Sequence, residues 1–380
     1  MIYLDNAATT FPKPRSVYSE VLRCIRTYCG NPGRGSHKLS TVSAQKVFEC
    51  RCEISDLIGA SSPENIFFCE NTTMAINSVI KGLLTEGDHV LISDLEHNSV
   101  FRPIFKMAKQ GKITYDIFPS MCLDDRRFPS GICAGIARLI KPNTKLIICT
   151  HASNICSAVL PIPEIGAFCR RHKILFAVDA AQSVGHIPID MKKMNIDILC
   201  APGHKGLYGI QGCGFVALRD GIMLDTLTEG GNGINSLERN MPDFSPERYE
   251  SGTLPVPSIV GLLSGIRDVK KIGVCEIHDR ETQLCNRLCE MLGNTHGVEI
   301  YAPQHKGSVL LFNVTGVPSN RTGDILNRND ICVRTGFHCS ALGHATLKTP
   351  DDGAVRVGFG MFNTQKEIEQ LWRTVKKITP

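Results

Sequence analysis

In Ile174-Leu175-Phe176-Ala177-Val178-Asp179-Ala180-Ala181-Gln182 an unbroken apolar run from Ile174 to Val178 ends on an acid, Asp179. A strand buried on both faces reads this way, because neither side of its pleat meets water. With its neighbours the run predicts strands over 65–69, 89–93, 145–150, 174–178, 196–201 and 212–218. Helical patterns separate them, and short strands alternating with helices signal an α/β fold with a mainly parallel sheet. In open sheets of this kind ligands sit beyond the carboxyl ends of the strands. The residues there are Glu70-Asn71-Thr72-Thr73, Asp94-Leu95-Glu96-His97-Asn98, His151-Ala152-Ser153-Asn154, Asp179-Ala180-Ala181-Gln182 and Pro202-Gly203-His204-Lys205. They predict one convergent polar set.

At 380 residues the chain exceeds what one core usually spans, so a large domain and a smaller one are expected. Thr253-Leu254-Pro255-Val256-Pro257 reads as a hinge, followed by helical sequence and shorter strands over 308–314, 330–333 and 354–357. The expected division is 15–252 for the large domain and 1–14 with 253–380 for a smaller α+β domain. A terminal helix starts at Thr364, with a Thr364/Glu367 capping box and Ile368, Leu371, Trp372, Val375 and Ile378 on one face.

Lys and Arg total 42 against 37 for Asp and Glu, and no basic block gathers the surplus, which argues against a nucleic-acid partner. The N-terminus lacks the features of a signal peptide and no later run approaches a membrane span, so a cytoplasmic protein is expected. Seventeen cysteines without a single Cys-x-x-Cys pair fit neither a disulfide framework nor a zinc site. Many, such as Cys69 and Cys149, lie in apolar runs where the thiol behaves as a small hydrophobe.

A pyridoxal-phosphate site needs a lysine for the aldehyde and an acid that keeps the pyridine nitrogen protonated. Lys205 and Asp179 are the candidates. Its phosphate needs N–H groups and hydroxyls at a helix start, and Thr72-Thr73 open a helical pattern directly after a strand. Ordinary helix capping is the other reading of that pair. His97 could stack on the ring, and Gln182 and Asn154 could donate to its hydroxyl.

The run of motifs resembles the class V aminotransferase-fold cysteine desulfurases, in the SUF-type and selenocysteine-lyase branch. Its carriers are Leu4-Asp5-Asn6-Ala7-Ala8-Thr9-Thr10, Glu96-His97-Asn98, Val178-Asp179-Ala180-Ala181-Gln182-Ser183-Val184-Gly185-His186, Gly203-His204-Lys205, Arg248-Tyr249-Glu250-Ser251-Gly252-Thr253 and Val333-Arg334-Thr335-Gly336-Phe337-His338-Cys339. The resemblance implies pyridoxal-phosphate fold type I with a seven-stranded sheet and a homodimer. It also implies Lys205 as the Schiff-base lysine, Asp179 at the pyridine nitrogen and His97 on the ring. Gln182 and Asn154 fall near the ring hydroxyl, Thr72, Thr73 and His204 at the phosphate, and Arg356, with Asn154 beside it, at the substrate carboxylate. Two positions depart from the branch: Pro202 stands where a serine is usual, and Gly33 in Asn31-Pro32-Gly33-Arg34-Gly35 stands where a histidine is usual.

Cys339 separates a desulfurase from an aminotransferase. It is expected on a mobile loop, with Gly336 and Gly343 allowing movement and polar neighbours keeping the thiol reachable. The expected reaction converts L-cysteine to L-alanine and leaves a persulfide on Cys339 for an acceptor protein, with iron-sulfur cluster assembly among the pathways it would serve. Selenocysteine lysis, another C–S lyase or aminotransferase reaction, and a non-enzymatic sulfur or cluster scaffold are the alternatives. A metal site at His338, Cys339 and His344 lacks further ligands at suitable spacing.

Overall fold

The computed structural model describes residues 1–33, 35–120, 131–234, 236–304 and 307–379. The strands are β1 (Ile2–Tyr3), β2 (Ile66–Cys69), β3 (His89–Ser93), β4 (Thr114–Phe118), β5 (Thr144–Thr150), β6 (Leu175–Asp179), β7 (Ile198–Pro202), β8 (Gly214–Leu218), β9 (Val298–Tyr301), β10 (Val309–Val314), β11 (Ile331–Cys332), β12 (Arg334–Gly336) and β13 (Ala354–Gly358). The helices are α1 (Arg15–Thr27), α2 (Lys38–Ile58), α3 (Thr72–Leu83), α4 (Asn98–Lys109), α5 (Ile132–Ala137), α6 (Ile162–His172), α7 (Val256–Ile272), α8 (Val274–Gly293), α9 (Ser319–Arg328), α10 (Ala341–Leu347) and α11 (Gln365–Lys376).

Strands β2 to β8 form the expected seven-stranded sheet, in the order β2-β8-β7-β6-β5-β3-β4. Only β8 runs against its neighbours, so β2, β3, β5, β6 and β7 all end at the same edge. Alternate residues enter opposite cores. Leu91, Ile147, Phe176, Val178 and Leu199 pack on one face, and Val90, Ile92, Leu146, Ala177 and Ile198 on the other. Burial on both faces is why these strands read as continuous apolar runs. The outer strand β4 was not expected. It is only partly buried, and its Asp116 pairs with Lys141 at 2.7 Å, so no apolar run marks it.

A second, antiparallel sheet of four strands has the order β12-β13-β10-β9. Leu310, Phe312, Val355 and Val357 pack there with Leu288 and Leu292 of α8, Leu371 and Val375 of α11, and Leu4. The Thr364 N–H donates to Glu367 Oε2 at 2.8 Å, as the capping box at the start of α11 requires. The chain's first strand, β1, lies parallel to β11, with Ile2 opposite Ile331. Helix α7 starts inside the expected hinge, with Pro255 as its cap and Pro257 in its first turn, and buries Ile259, Leu262 and Ile266 in the large sheet's core. The chain therefore returns to the large sheet before α8 enters the smaller core. Among the described residues no helix is long and apolar enough to cross a membrane.

Candidate active site

Thr72, Thr73, His97, Asn154, Asp179, Gln182, His204 and Lys205 line one cleft of about 520 Å³ at the carboxyl edge of the large sheet. The convergence follows from topology: five strands end there, and each contributes the residues just beyond its last hydrogen bond. At the start of α3 the cap is Asn71, whose side chain accepts the Met74 N–H at 3.0 Å. Thr72 and Thr73 are thus the first helical residues, not the cap. The first N–H groups of a helix have no intrahelical partner, and with the positive end of the helix dipole they favour an anion.

Withdrawal from water pushes the Lys205 amine down to about 8; Asp179 opposes this, while Arg356 and Arg334 reinforce it. Asp179 is buried, which raises its carboxyl, and it accepts the Ala181 N–H at 3.0 Å. Burial, followed by the charges of Lys205, Arg334, Arg356 and Arg102, lowers His97 to about 4. Its Nδ1 accepts the Ser99 N–H at 3.0 Å, so the ring is neutral with its proton on Nε2. His204 falls to about 4 for similar reasons, burial first and then Lys205 and Lys13. Behind these side chains lies Glu96, fully buried and raised to about 8 by desolvation, with Oε1 accepting the Thr150 N–H at 2.9 Å.

The N-terminal segment holds the backbone under Lys205. The Thr10 hydroxyl lies 3.0 Å from the Lys205 carbonyl oxygen, and Lys13 Nζ donates to Thr10 Oγ1 at 2.7 Å and to the His204 carbonyl at 2.8 Å. Gln182 Nε2 donates to the Ala7 carbonyl at 2.8 Å. Pro202 is the last residue of β7, opposite Gly214. Gly33 has φ +75° with open space where a side chain would begin, and Arg34 lies outside the described residues.

Arg356 is no surface arginine: its side chain is 1% exposed, Nη2 donates to Asp5 Oδ1 at 2.7 Å and Nη1 to the Asn154 carbonyl at 3.0 Å. A guanidinium has five N–H groups, so each terminal nitrogen retains one for a further acceptor. Asp5 and the carbonyl of Asn154, itself a cleft residue, thus fix its plane.

Cys339 is exposed, as expected, but its loop is tethered instead of free. The Asn98 N–H donates to the Cys339 carbonyl at 2.8 Å, and Asn154 Nδ2 to the His338 carbonyl at 2.8 Å. Of the two glycines, Gly336 has φ +97° and open space around it, but Gly343 is packed. Gly343 lies inside α10, where a Cβ would stand 2.7 Å from Ile155 and from the Ser340 hydroxyl. Arg334, which carried no assigned role in the sequence, places Nη2 3.7 Å from Cys339 Sγ. Its signal was there: it stands five residues before Cys339 in the motif that carried the resemblance. Asp5, Lys13 and Glu96 were missed because what ties them to the site, Arg356, the His204 carbonyl and the Thr150 N–H, is distant in sequence.

His338 and His344 bond each other, Nδ1 to Nε2 at 3.1 Å, instead of converging with Cys339 on a common point. Among the described residues no group of three His, Cys, Asp or Glu side chains could hold a metal. Cys149, Cys200 and Cys213 are buried, and burial pushes their thiols well up.

The chain is 32% identical over 387 residues to a probable cysteine desulfurase of Methanothermobacter thermautotrophicus, covering 99% of this chain and 94% of that one. It is 32% identical over 389 residues to a probable cysteine desulfurase of Pyrococcus abyssi, covering 100% of this chain and 94% of the relative. The apo structure of the cysteine desulfurase from Thermococcus onnurineus NA1 superposes with a TM-score of 0.89 at 28% identity, over 100% of this chain and 94% of that one. The class-V aminotransferase pattern matches residues 2–371, so that site and scaffold have one origin: the chain belongs to the class-V aminotransferase family.

Proposed function

We infer that this chain is a pyridoxal-phosphate-dependent cysteine desulfurase that converts L-cysteine to L-alanine and carries the sulfur as a persulfide on Cys339. The class-V family depends on pyridoxal phosphate in general. The cleft fits that group: it offers a lysine with a lowered amine, a buried carboxylate one strand away and a helix N-terminus with two threonines. The observation that carries the desulfurase reading is the exposed Cys339 sulfur beside Arg334, on a loop bonded to Asn98 and Asn154 at the same strand ends.

Pyridoxal phosphate, when bound, supplies an electron sink for charge developing at the substrate α-carbon. Lys205 is assigned as its covalent anchor and, once released, as the base that takes the substrate's α-proton on Nζ. Asp179 would hold the proton on the pyridine nitrogen, neutral His97 would pack on the ring, and Gln182 and Asn154 would serve its hydroxyl. Thr72, Thr73 and His204 would hold the phosphate. Arg356, oriented by Asp5, binds the substrate carboxylate beside Asn154. The Cys339 thiolate then attacks the substrate sulfur: the S–S bond forms, the C–S bond breaks, and alanine leaves with a proton on the former sulfur-bearing carbon. Arg334, with Nη2 3.7 Å from Cys339 Sγ, is assigned to this step as the charged neighbour of the attacking sulfur.

The same reading takes 15–252 as the large domain and 1–14 with 253–380 as the small one, except that α7 (Val256–Ile272) packs in the large sheet's core and belongs with the large domain. It makes the enzyme a cytoplasmic homodimer that hands sulfur to a separate acceptor protein. The test is product analysis with cysteine, and with selenocysteine alongside. Wild type should release alanine and show a persulfide mass on the Cys339 peptide, and borohydride should fix a pyridoxyl group on Lys205. Cys339→Ala should lose alanine release from cysteine while keeping the borohydride adduct; full alanine and sulfide production by that variant would sink the sulfur-transfer step.

A further inference from the structure

His338 and Cys339 both adopt left-handed backbone conformations, with φ of 51° and 56°. L side chains rarely adopt that region, so two consecutive non-glycine residues there must be held by their surroundings. Their carbonyls are held from outside the loop, by Asn154 and Asn98. What holds the side of the loop that faces the small sheet is a chain of two imidazoles.

His338 and His344 are both 3% exposed and lie edge to edge and nearly coplanar, with ring centroids 5.3 Å apart and planes at 16°. The Arg334 carbonyl, 3.2 Å from His338 Nε2, can only accept, so that nitrogen carries the proton. His338 Nδ1 then presents a lone pair, and His344 Nε2, 3.1 Å away, donates to it. His344 Nδ1 in turn accepts from the Thr349 hydroxyl at 2.8 Å. The relay runs in one direction, from Thr349 through His344 and His338 to the Arg334 carbonyl, and uses two neutral rings in the same tautomer. Each buried ring nitrogen is satisfied by it. The residue whose carbonyl ends the relay is the one whose guanidinium stands 3.7 Å from the Cys339 sulfur. Phe337 closes the assembly with its ring edge-on to His344, centroids 5.4 Å apart.

We propose that His338 and His344 are positioning residues for the sulfur chemistry: their relay locks the left-handed loop so that Cys339 Sγ stays against the Arg334 guanidinium. The inference rests on the reading of Cys339 as the sulfur acceptor, and it adds the side chains that set that thiol's reactivity. His344 lies on α10, outside the cleft, and touches neither Lys205 nor the residues assigned to the cofactor. Its replacement should therefore change the thiol and leave the cofactor anchor alone.

The experiment uses the holoenzyme and follows iodoacetamide labelling of the Cys339 peptide by mass at pH 7.5, with borohydride fixation on Lys205 in parallel. His344→Leu leaves the buried His338 Nδ1 without a donor and should slow labelling about tenfold, because the loop no longer presents the sulfur in its place against the Arg334 guanidinium. His344→Gln, whose amide N–H can reach the place of Nε2, should label within about twofold of wild type if the hydrogen bond is what matters. Borohydride fixation should be unchanged in both. Wild-type labelling in the Leu variant, or a Gln variant as slow as Leu, overturns the proposal. Should His344→Leu fail to fold, selective 15N-histidine spectra of the wild type decide: both rings must be neutral with the proton on Nε2, and an Nδ1–H tautomer or a charged ring at either position overturns the relay. Labelling reads the thiol without turnover. Its failure thus leaves the desulfurase assignment standing, and an active Cys339→Ala enzyme would overturn that assignment whatever the labelling shows.

Discussion

An ordinary lysine near neutral pH is almost wholly protonated and a poor nucleophile, whereas Lys205 is held down to about 8. Two effects oppose each other there: burial favours the free amine and the Asp179 carboxylate favours the ammonium. Asp179→Asn removes the second. The midpoint for attack of the apo-protein's amine on pyridoxal phosphate should therefore move to lower pH than in wild type, and the reaction at pH 7 should speed up. Turnover should change the other way, falling roughly 10²–10⁴-fold, because an amide cannot hold the proton on the ring nitrogen. Rapid-mixing absorbance across pH 6–9 and an alanine assay measure the two. A midpoint that rises in the variant would show that Asp179 does not act on Lys205.

The loop after β6 and the loop after β7 meet at two glycines. Gly185 has φ +85°, and a Cβ on it would stand 2.2 Å from the Gly206 carbonyl oxygen, next to Lys205. Gly185→Ala therefore has two faults, a disfavoured backbone and a collision with backbone that cannot turn aside. It should cost about 3 kcal/mol in urea unfolding and lower the borohydride-fixed fraction on Lys205. Gly33→Ala, with a similar φ but open space, is the control and should cost only about 1 kcal/mol. Neither glycine's burden is visible in a linear reading, and the same holds for other elements. The inner strands were legible because burial on both faces leaves apolar runs, and their polar ends located the cleft. β4, β9 and β12 were not, since short partly exposed strands such as Arg334–Gly336 carry no such run. The tethers of the Cys339 loop were not legible, because Gly336 and Gly343 suggest freedom locally, while Asn98 and Asn154, which bond its carbonyls, come from distant strand ends.

The first thirteen residues join both sheets to the cleft. β1 lies along β11, Asp5 holds Arg356 of β13, the Ala7 carbonyl takes Gln182, and Thr10 and Lys13 take the carbonyls beside Lys205. Lys13 is the costly member, buried at 8% exposure with a hydroxyl and a carbonyl as partners. Burial lowers its amine to about 7. In the unfolded chain it titrates near ~10.4, so between those values the unfolded state binds the extra proton and stability from this group rises with pH. Below about 7 both states are charged and the full desolvation cost is present. Lys13→Met removes the titration together with two hydrogen bonds. Its apo-protein should be less stable than wild type at pH 10, where the wild-type amine is neutral and bonded, and should close most of that gap at pH 6.5. Other groups, Lys205 among them, shift both proteins alike, so the difference between the two urea-unfolding curves against pH isolates Lys13. Parallel curves from pH 6.5 to 10 would mean that Lys13 keeps an ordinary amine and that the N-terminal segment is held by its neutral contacts alone.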